Sequence, residues 1–181
     1  MKRVCVVAAL AVSALLLTAS AATAASPHFK KNGSPVCTVS GAGTNTSSTT
    51  CSASLAGLGQ ETLVIDVTVE GSAVYQCQNQ GGNTAPGQNR VLVGPVTAPT
   101  TIPADQIKNG NVSFTTNPAE LTAPDTVTGA EAGCPNPNWT GVNPVLTTTD
   151  ITMTISQGGV LLFTCTASNP NGLSGRVALS C

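Results

Sequence analysis

One stretch, residues 61–79 (ETLVIDVTVEGSAVYQCQN), constrains the fold of this chain more than any other. From Leu63 onward the odd-numbered positions are almost all apolar, and the even-numbered positions are mostly polar. This period of two residues is typical of a β-strand with one buried face and one solvated face. A glycine inside such a strand favours a bend, so we expect one at Gly71. The chain is therefore predicted to fold around a β-sheet.

The first 24 residues have the pattern of an export signal. A short basic segment precedes an apolar run at residues 4–17, and small residues lead from it to Ala24. The run is short for a membrane span, so an uncleaved anchor is the less favoured alternative. Cys5 lies near the start of the run, not after it, and thus predicts no lipid anchor. We expect a secreted protein that starts at Ala25 and has no membrane span.

The expected mature chain has 181 − 24 = 157 residues, the size of one domain. We assign the polar residues 25–35 to an extended N-terminal arm and residues 36–181 to the domain. Loss of the signal leaves five basic and eight acidic residues, a net charge of −3. Because no basic patch is present, nucleic acid is not an expected partner.

Six cysteines remain in the mature chain, and an even number in an exported protein predicts three disulfides. They are Cys37, Cys51, Cys77, Cys134, Cys165 and Cys181. A metal site is the competing interpretation. The chain has no CxxC pair, however, and its one histidine, His28, lies apart from the cysteines. We therefore expect neither a metal nor another cofactor.

Residues 145–167 predict a second hairpin, with a loop of either two or three residues. A three-residue loop at 157–159 puts apolar side chains opposite each other, for example Ile155 opposite Leu161. A two-residue loop puts apolar residues opposite polar ones. Gly159 also suits the left-handed third position of a three-residue loop, so we predict that register.

The remaining chain contains many turn signals between short apolar segments. We interpret residues 78–89 as a surface loop, residues 90–96 as a short strand broken at Gly94-Pro95, and residues 117–143 as the longest region without a strand pattern. Seven to nine short strands of this kind predict an all-β fold, an antiparallel immunoglobulin-like β-sandwich. A jelly roll or a partly open barrel is the alternative.

No catalytic constellation is apparent in the sequence. A serine or cysteine nucleophile usually needs a base, but His28 lies in the arm and the cysteines are better used in disulfides. Asp66 and Glu70 share one strand face but are roughly 13 Å apart along it, which is too far for glycosidase chemistry. We expect a solvated sheet face and no enzymatic activity.

Three short motifs resemble those of a group of small exported actinobacterial proteins. They are SPHF at residues 26–29, YQCQNQGG at residues 75–82, and Cys134-Pro135. In that group the mature chain starts with SPHF, a strand ends in YxCxNxGG, and a distant CP follows. The resemblance implies export, a β-rich fold and a Cys77–Cys134 disulfide, and it implies no activity.

Geometry alone suggests the other two disulfides. Cys37 and Cys51 are opposed if their hairpin centres on Thr44, in a polar tip. Cys165 and Cys181 are opposed if the last hairpin centres just after Asn171-Gly172. Both would be cross-strand bridges.

A binding function through loops at one end of the sandwich is the favoured hypothesis. The partner would be an extracellular protein, a glycan or a small molecule, contacted by residues 80–88 and 136–141 with Trp139 as anchor. The candidate binding residues are Trp139, Asn138, Gln80 and Asn83. Trp139 has a competing interpretation, in which it packs over the core beside the Cys134 bridge. A small-molecule carrier or a protease inhibitor is the alternative function.

Overall fold

The computed structural model describes residues 26–181, and the expected signal peptide lies outside this range. Eleven strands form two antiparallel sheets within the described residues. The strands are β1 (His28–Phe29), β2 (Val36–Ser40), β3 (Thr46–Ala56), β4 (Leu63–Gln78), β5 (Thr84–Ile102), β6 (Val112–Thr115), β7 (Ala119–Thr122), β8 (Val127–Thr128), β9 (Thr140–Gln157), β10 (Val160–Leu173) and β11 (Gly175–Ala178). A 3₁₀ turn (Ala104–Gln106) follows β5, and a one-turn helix, α1 (Gly129–Ala132), follows β8.

The strand order confirms the predicted immunoglobulin-like sandwich. Sheet 1 has the order β1-β3-β2-β11, and β6 and β7 also pair with β3. Sheet 2 has the order β10-β9-β4-β5, and β8 pairs with β9. In immunoglobulin terms β2, β3 and β6–β7 stand for strands A, B and E, while β4, β5, β9 and β10 stand for C, C′, F and G. Strand β11 is an addition at the edge of sheet 1.

Strand β4 has the two faces that its sequence predicts. Its odd-numbered side chains are buried in the core, and Leu63, Ile65 and Val67 have no exposed surface. The pairing of β4 with both neighbours changes register at Gly71, where the bend was expected. A Cβ atom there would lie 2.4 Å from the carbonyl oxygen of Thr147. Glycine is therefore needed for the close approach of β4 and β9.

The predicted three-residue loop between β9 and β10 is wrong. Val160 pairs with Gln157, so the loop contains only Gly158 and Gly159. Both glycines have positive φ, at 57° and 81°. Two residues with positive φ make a type I′ turn, whose twist matches that of the flanking strands.

The pairing predicted for the rest of this hairpin is wrong as well, because β10 contains a bulge. Its register shifts between Leu161 and Phe163, so Phe163 faces Ile155 and Cys165 faces Met153. One extra residue moves every following side chain to the other face of the sheet. Leu161 precedes the bulge. The two-residue loop pairs it with Ser156, on the outer face of the sheet, where it is 60% exposed. After the bulge, the ring of Phe163 packs on Phe29.

Long strands replace two of the predicted interruptions. Strand β5 has 19 residues and includes half of the expected loop at 78–89, which shrinks to a turn at residues 79–83. The expected break at Gly94-Pro95 is only a register shift within β5. Residues 117–143 contain β7, β8 and α1, not a region free of strands. Strand number was underestimated, because the short strands β1, β7 and β8 lie in the segments assigned to the arm and to the region without strands.

All six described cysteines are paired, in the three pairs expected: Cys37–Cys51, Cys77–Cys134 and Cys165–Cys181. Cys37 and Cys51 are direct partners in the β2–β3 ladder. A bridge between Thr166 and Ser180 aligns the last pair. Three formed disulfides are typical of proteins of an oxidising compartment. In residues 26–181, no helix is both long enough and apolar enough to cross a membrane.

Candidate functional site

The four candidate binding residues lie at one end of sheet 2. Gln78 at the end of β4 pairs with Thr84 of β5 on one side and with Thr140 of β9 on the other. The turn at residues 79–83 and the segment before β9 therefore leave the sheet at the same end. We call residues 76–89 and 134–143 the bridged end, because the Cys77–Cys134 disulfide joins its two parts.

The segment before β9, residues 129–139, is fixed to sheet 2 at several points. Strand β8 pairs with the start of β9, with Thr128 opposite Thr140. The backbone N–H of Gln88 donates to the carbonyl oxygen of Gly133, next to Cys134. The Cys77–Cys134 disulfide adds a covalent bond. Bonds on both sides of the segment make this end a rigid surface.

A capping box sets the position of Cys134. The hydroxyl of Thr128 accepts a hydrogen bond from the backbone N–H of Glu131, and the Glu131 carboxylate accepts from the backbone N–H of Thr128. These bonds satisfy free donors at the start of α1. The hydrogen bonds from Thr128 also lower the pKa of Glu131. Helix α1 ends at Gly133, in the left-handed conformation, directly before the disulfide.

Trp139 is neither fully buried in the core nor fully exposed as a binding anchor. Its side chain is half-buried and packs against the core, and the rest of it is in solvent. Its backbone N–H donates to the carbonyl oxygen of Asn136, which closes a turn. Gln80, Asn83 and Asn138 are all exposed. The bridged end thus presents one aromatic side chain among exposed amides.

Tyr75 fixes the inner side of this end. It is only 2% exposed, and its hydroxyl donates to the carbonyl oxygen of Pro124, at 2.9 Å. Burial raises its pKa above the ordinary value, and the charges of Asp125 and Glu131 raise it further. The phenol stays neutral and holds the segment after β7 against β4.

We expect Tyr75→Phe to lower the free energy of unfolding by about 1 kcal/mol at neutral pH, because one hydrogen bond to Pro124 is lost. In the wild type the stabilisation from the raised pKa is fully present below pH ~10 and is lost as the pH rises through the folded-state pKa. Urea denaturation across this pH range measures both effects, and Tyr75→Phe should lack the alkaline one.

Tyr75 is the one tyrosine in the chain, so phenolate absorbance reports on this group alone. A titration midpoint at or below that of a free tyrosine would contradict the expected shift.

Ionisable groups do not converge on a reaction centre in the described part of the chain. It contains no group of three or more His, Cys, Asp or Glu side chains arranged to hold a metal. Nδ1 of the exposed His28 lies 2.8 Å from the carbonyl oxygen of Ser26. Asp150 is the strand partner of Glu70, a pairing that sequence reasoning missed. Hydrogen bonds from Ser168 and Thr149 lower the pKa of Asp150, so it stays ionised on a solvated face.

A narrow slot between the two sheets was not expected from the sequence. It has a volume of about 190 Å³ and is lined by Val39, Leu146 and Leu173 among others. The buried hydroxyls of Ser47 and Thr148 also line it and bond to each other at 2.8 Å. Pockets for typical ligands have volumes of about 300–1,000 Å³, so this slot gives little support to a carrier function. Two grooves of about 390 and 410 Å³ are open and mostly polar.

Comparison with known proteins adds no family. No protein-family model matches this chain, and no curated protein matches it. Among solved structures, the crystal structure of a Bacteroides uniformis β-glucuronidase aligns with a TM-score of 0.37 and 14% sequence identity. The alignment covers 78% of this chain and 14% of that one. So low a similarity supports no inference about fold or function.

Proposed function

We propose that the protein is a secreted, non-enzymatic binding module that contacts its partner through the bridged end. One observation carries this proposal. The turn at residues 79–83 and the segment before β9 lie side by side at one end of the sandwich, and the Cys77–Cys134 disulfide fastens them together. Exposed loops held by a rigid β-sandwich are a common arrangement for recognition.

Export is supported by the signal-like pattern of residues 1–24 and by three disulfides. A non-enzymatic role is supported by the use of the cysteines in disulfides and by the solvated setting of Asp66, Glu70 and Asp150. Neither feature supplies a nucleophile beside a base.

We expect Trp139→Ala to weaken partner binding by 2 kcal/mol or more, about 30-fold, because the contact area of a partly exposed aromatic anchor is lost. The mature protein is used as bait on the medium and the cell surface of the producing organism. Bound partners are cross-linked to it and identified by mass spectrometry. Its affinity for each purified variant is then measured directly.

Leu92→Ala is the matched control. Leu92 is 87% exposed on β5, outside the bridged end, so its truncation removes exposed apolar surface without touching the candidate site. The unfolding midpoint of each variant shows whether Trp139→Ala is folded. A partner that binds folded Trp139→Ala within about 0.5 kcal/mol of wild type would show that the site is wrong.

A further inference from the structure

The bridged end is unusually rich in amides and contains no charged residue. Its 24 residues include ten of the twenty Asn and Gln of residues 26–181, and none of the thirteen Asp, Glu, Lys and Arg. The rest of the described chain thus has all the charges and only half the amides. A partner of this surface must be recognised by hydrogen bonds and apolar contact, because no ion pair is available within it.

Two charged side chains next to the bridged end in the sequence form hydrogen bonds within the protein. The Glu131 carboxylate accepts two hydrogen bonds from Thr128, and the Arg90 guanidinium donates to the carbonyl oxygen of Pro170 on β10. Neither group belongs to the bridged end. An uncharged partner with many donors and acceptors is the better match.

In two of these amides the side-chain oxygen accepts a hydrogen bond from the backbone. The side-chain oxygen of Asn79 accepts from the backbone N–H of Asn83, and that of Asn136 accepts from the backbone N–H of Asn138, both at 2.9 Å. Because a backbone N–H is always a donor, the assignment of oxygen and nitrogen in these amides is settled. Each amide therefore keeps its NH₂ group, two donors, for a ligand. Fixed donors bind without the entropy cost of ordering a free side chain.

Trp139 supplies the apolar contact on the same surface, since it is partly exposed and also packs against the core. A pyranose ring combines an apolar C–H face with uncharged hydroxyls that donate and accept hydrogen bonds. The ring face matches an indole, and the hydroxyls match amide NH₂ groups. We propose that the bridged end binds a neutral polysaccharide chain; the inference rests on the proposed function and names its partner class.

Trp139 is the one tryptophan in the chain, so its fluorescence reports on a ligand at this site. The mature protein is titrated with cellohexaose, xylohexaose, maltohexaose and mannohexaose, and with oligogalacturonate as the charged probe. We expect a saturable change with at least one neutral oligosaccharide and none with oligogalacturonate. The affinity should agree within about twofold between ~20 mM and ~500 mM salt, because no ion pair forms.

Asn79→Asp and Asn136→Asp retain the oxygen that closes each turn and remove the NH₂ donors. We expect each to bind the oligosaccharide about tenfold more weakly, with an unchanged unfolding midpoint. The matched control is Gln106→Glu, which makes the same change of charge in the 3₁₀ turn at the opposite end of sheet 2. Its affinity should equal that of wild type.

Three results would overturn the glycan inference. They are a lack of response to every neutral oligosaccharide, a response to oligogalacturonate that salt abolishes, and oligosaccharide binding that both Asp variants leave intact. The proposed function is tested separately. A protein partner lost from folded Trp139→Ala, with no glycan bound, would refute the glycan inference and keep the binding function. A partner retained by Trp139→Ala would refute the binding site itself.

Discussion

Removal of the Cys77–Cys134 disulfide by the double substitution Cys77→Ala and Cys134→Ala is expected to lower the free energy of unfolding by roughly 4 kcal/mol. The bond closes a loop with a sequence separation of 57 residues, and its absence gives the unfolded chain more conformations. The other two disulfides close loops with separations of 14 and 16 residues, and the loss of each should cost about 3 kcal/mol. Urea denaturation at neutral pH measures all three.

The part of the chain that becomes less stable distinguishes the Cys77–Cys134 disulfide from the other two. Tyr75 and Ala73 lie buried on the inner face of β4, near the segment that the Cys77–Cys134 bond holds. Hydrogen exchange in the double variant should become faster in residues 127–139 than in sheet 1. The matched control is Cys37→Ala with Cys51→Ala, which should leave exchange at the bridged end unchanged. A smaller loss of stability than in this control would contradict the expected order.

Ile155→Ala is expected to lower the free energy of unfolding by about 2–5 kcal/mol, whereas Leu161→Ala should change it by less than about 0.5 kcal/mol. Ile155 is fully buried between the sheets, so its truncation leaves a cavity. Leu161 is 60% exposed, because the two-residue loop pairs it with Ser156 on the outer face of the sheet. Both changes remove aliphatic atoms from one hairpin, which makes them a matched pair for chemical denaturation.

The pair also tests the register of the hairpin. In the register predicted from the sequence, Leu161 faces Ile155 and shares its apolar environment. In the structure, Phe163 takes that place. Comparable losses for Leu161→Ala and Ile155→Ala would therefore argue for the sequence-based register and against the two-residue loop.

The sequence by itself determined the faces of β4 and the sheet class. Alternation of apolar and polar residues around Leu63, Ile65 and Val67 is a local property of the backbone, because successive strand side chains point to opposite faces. It also placed Cys37 opposite Cys51, since a hairpin centred on a polar tip fixes which residues meet. Trp139 and Gln80 were both assigned to one end of the sandwich, where the structure has them.

Only the tertiary structure decided the features that depend on strand pairing and on packing between sheets. The bulge before Phe163 brings its ring to 4.6 Å from that of Phe29 in the other sheet, a contact that no pattern within β10 records. Strand β5 extends through residues 84–89, a stretch with little apolar character, because β4 offers backbone partners along its length. The partial burial of Trp139 comes from its packing against the core, which its loop sequence does not record. Local periodicity indicates which face of a strand is apolar. The partner strand and the opposite sheet decide where that strand ends, where it bulges, and what its side chains meet.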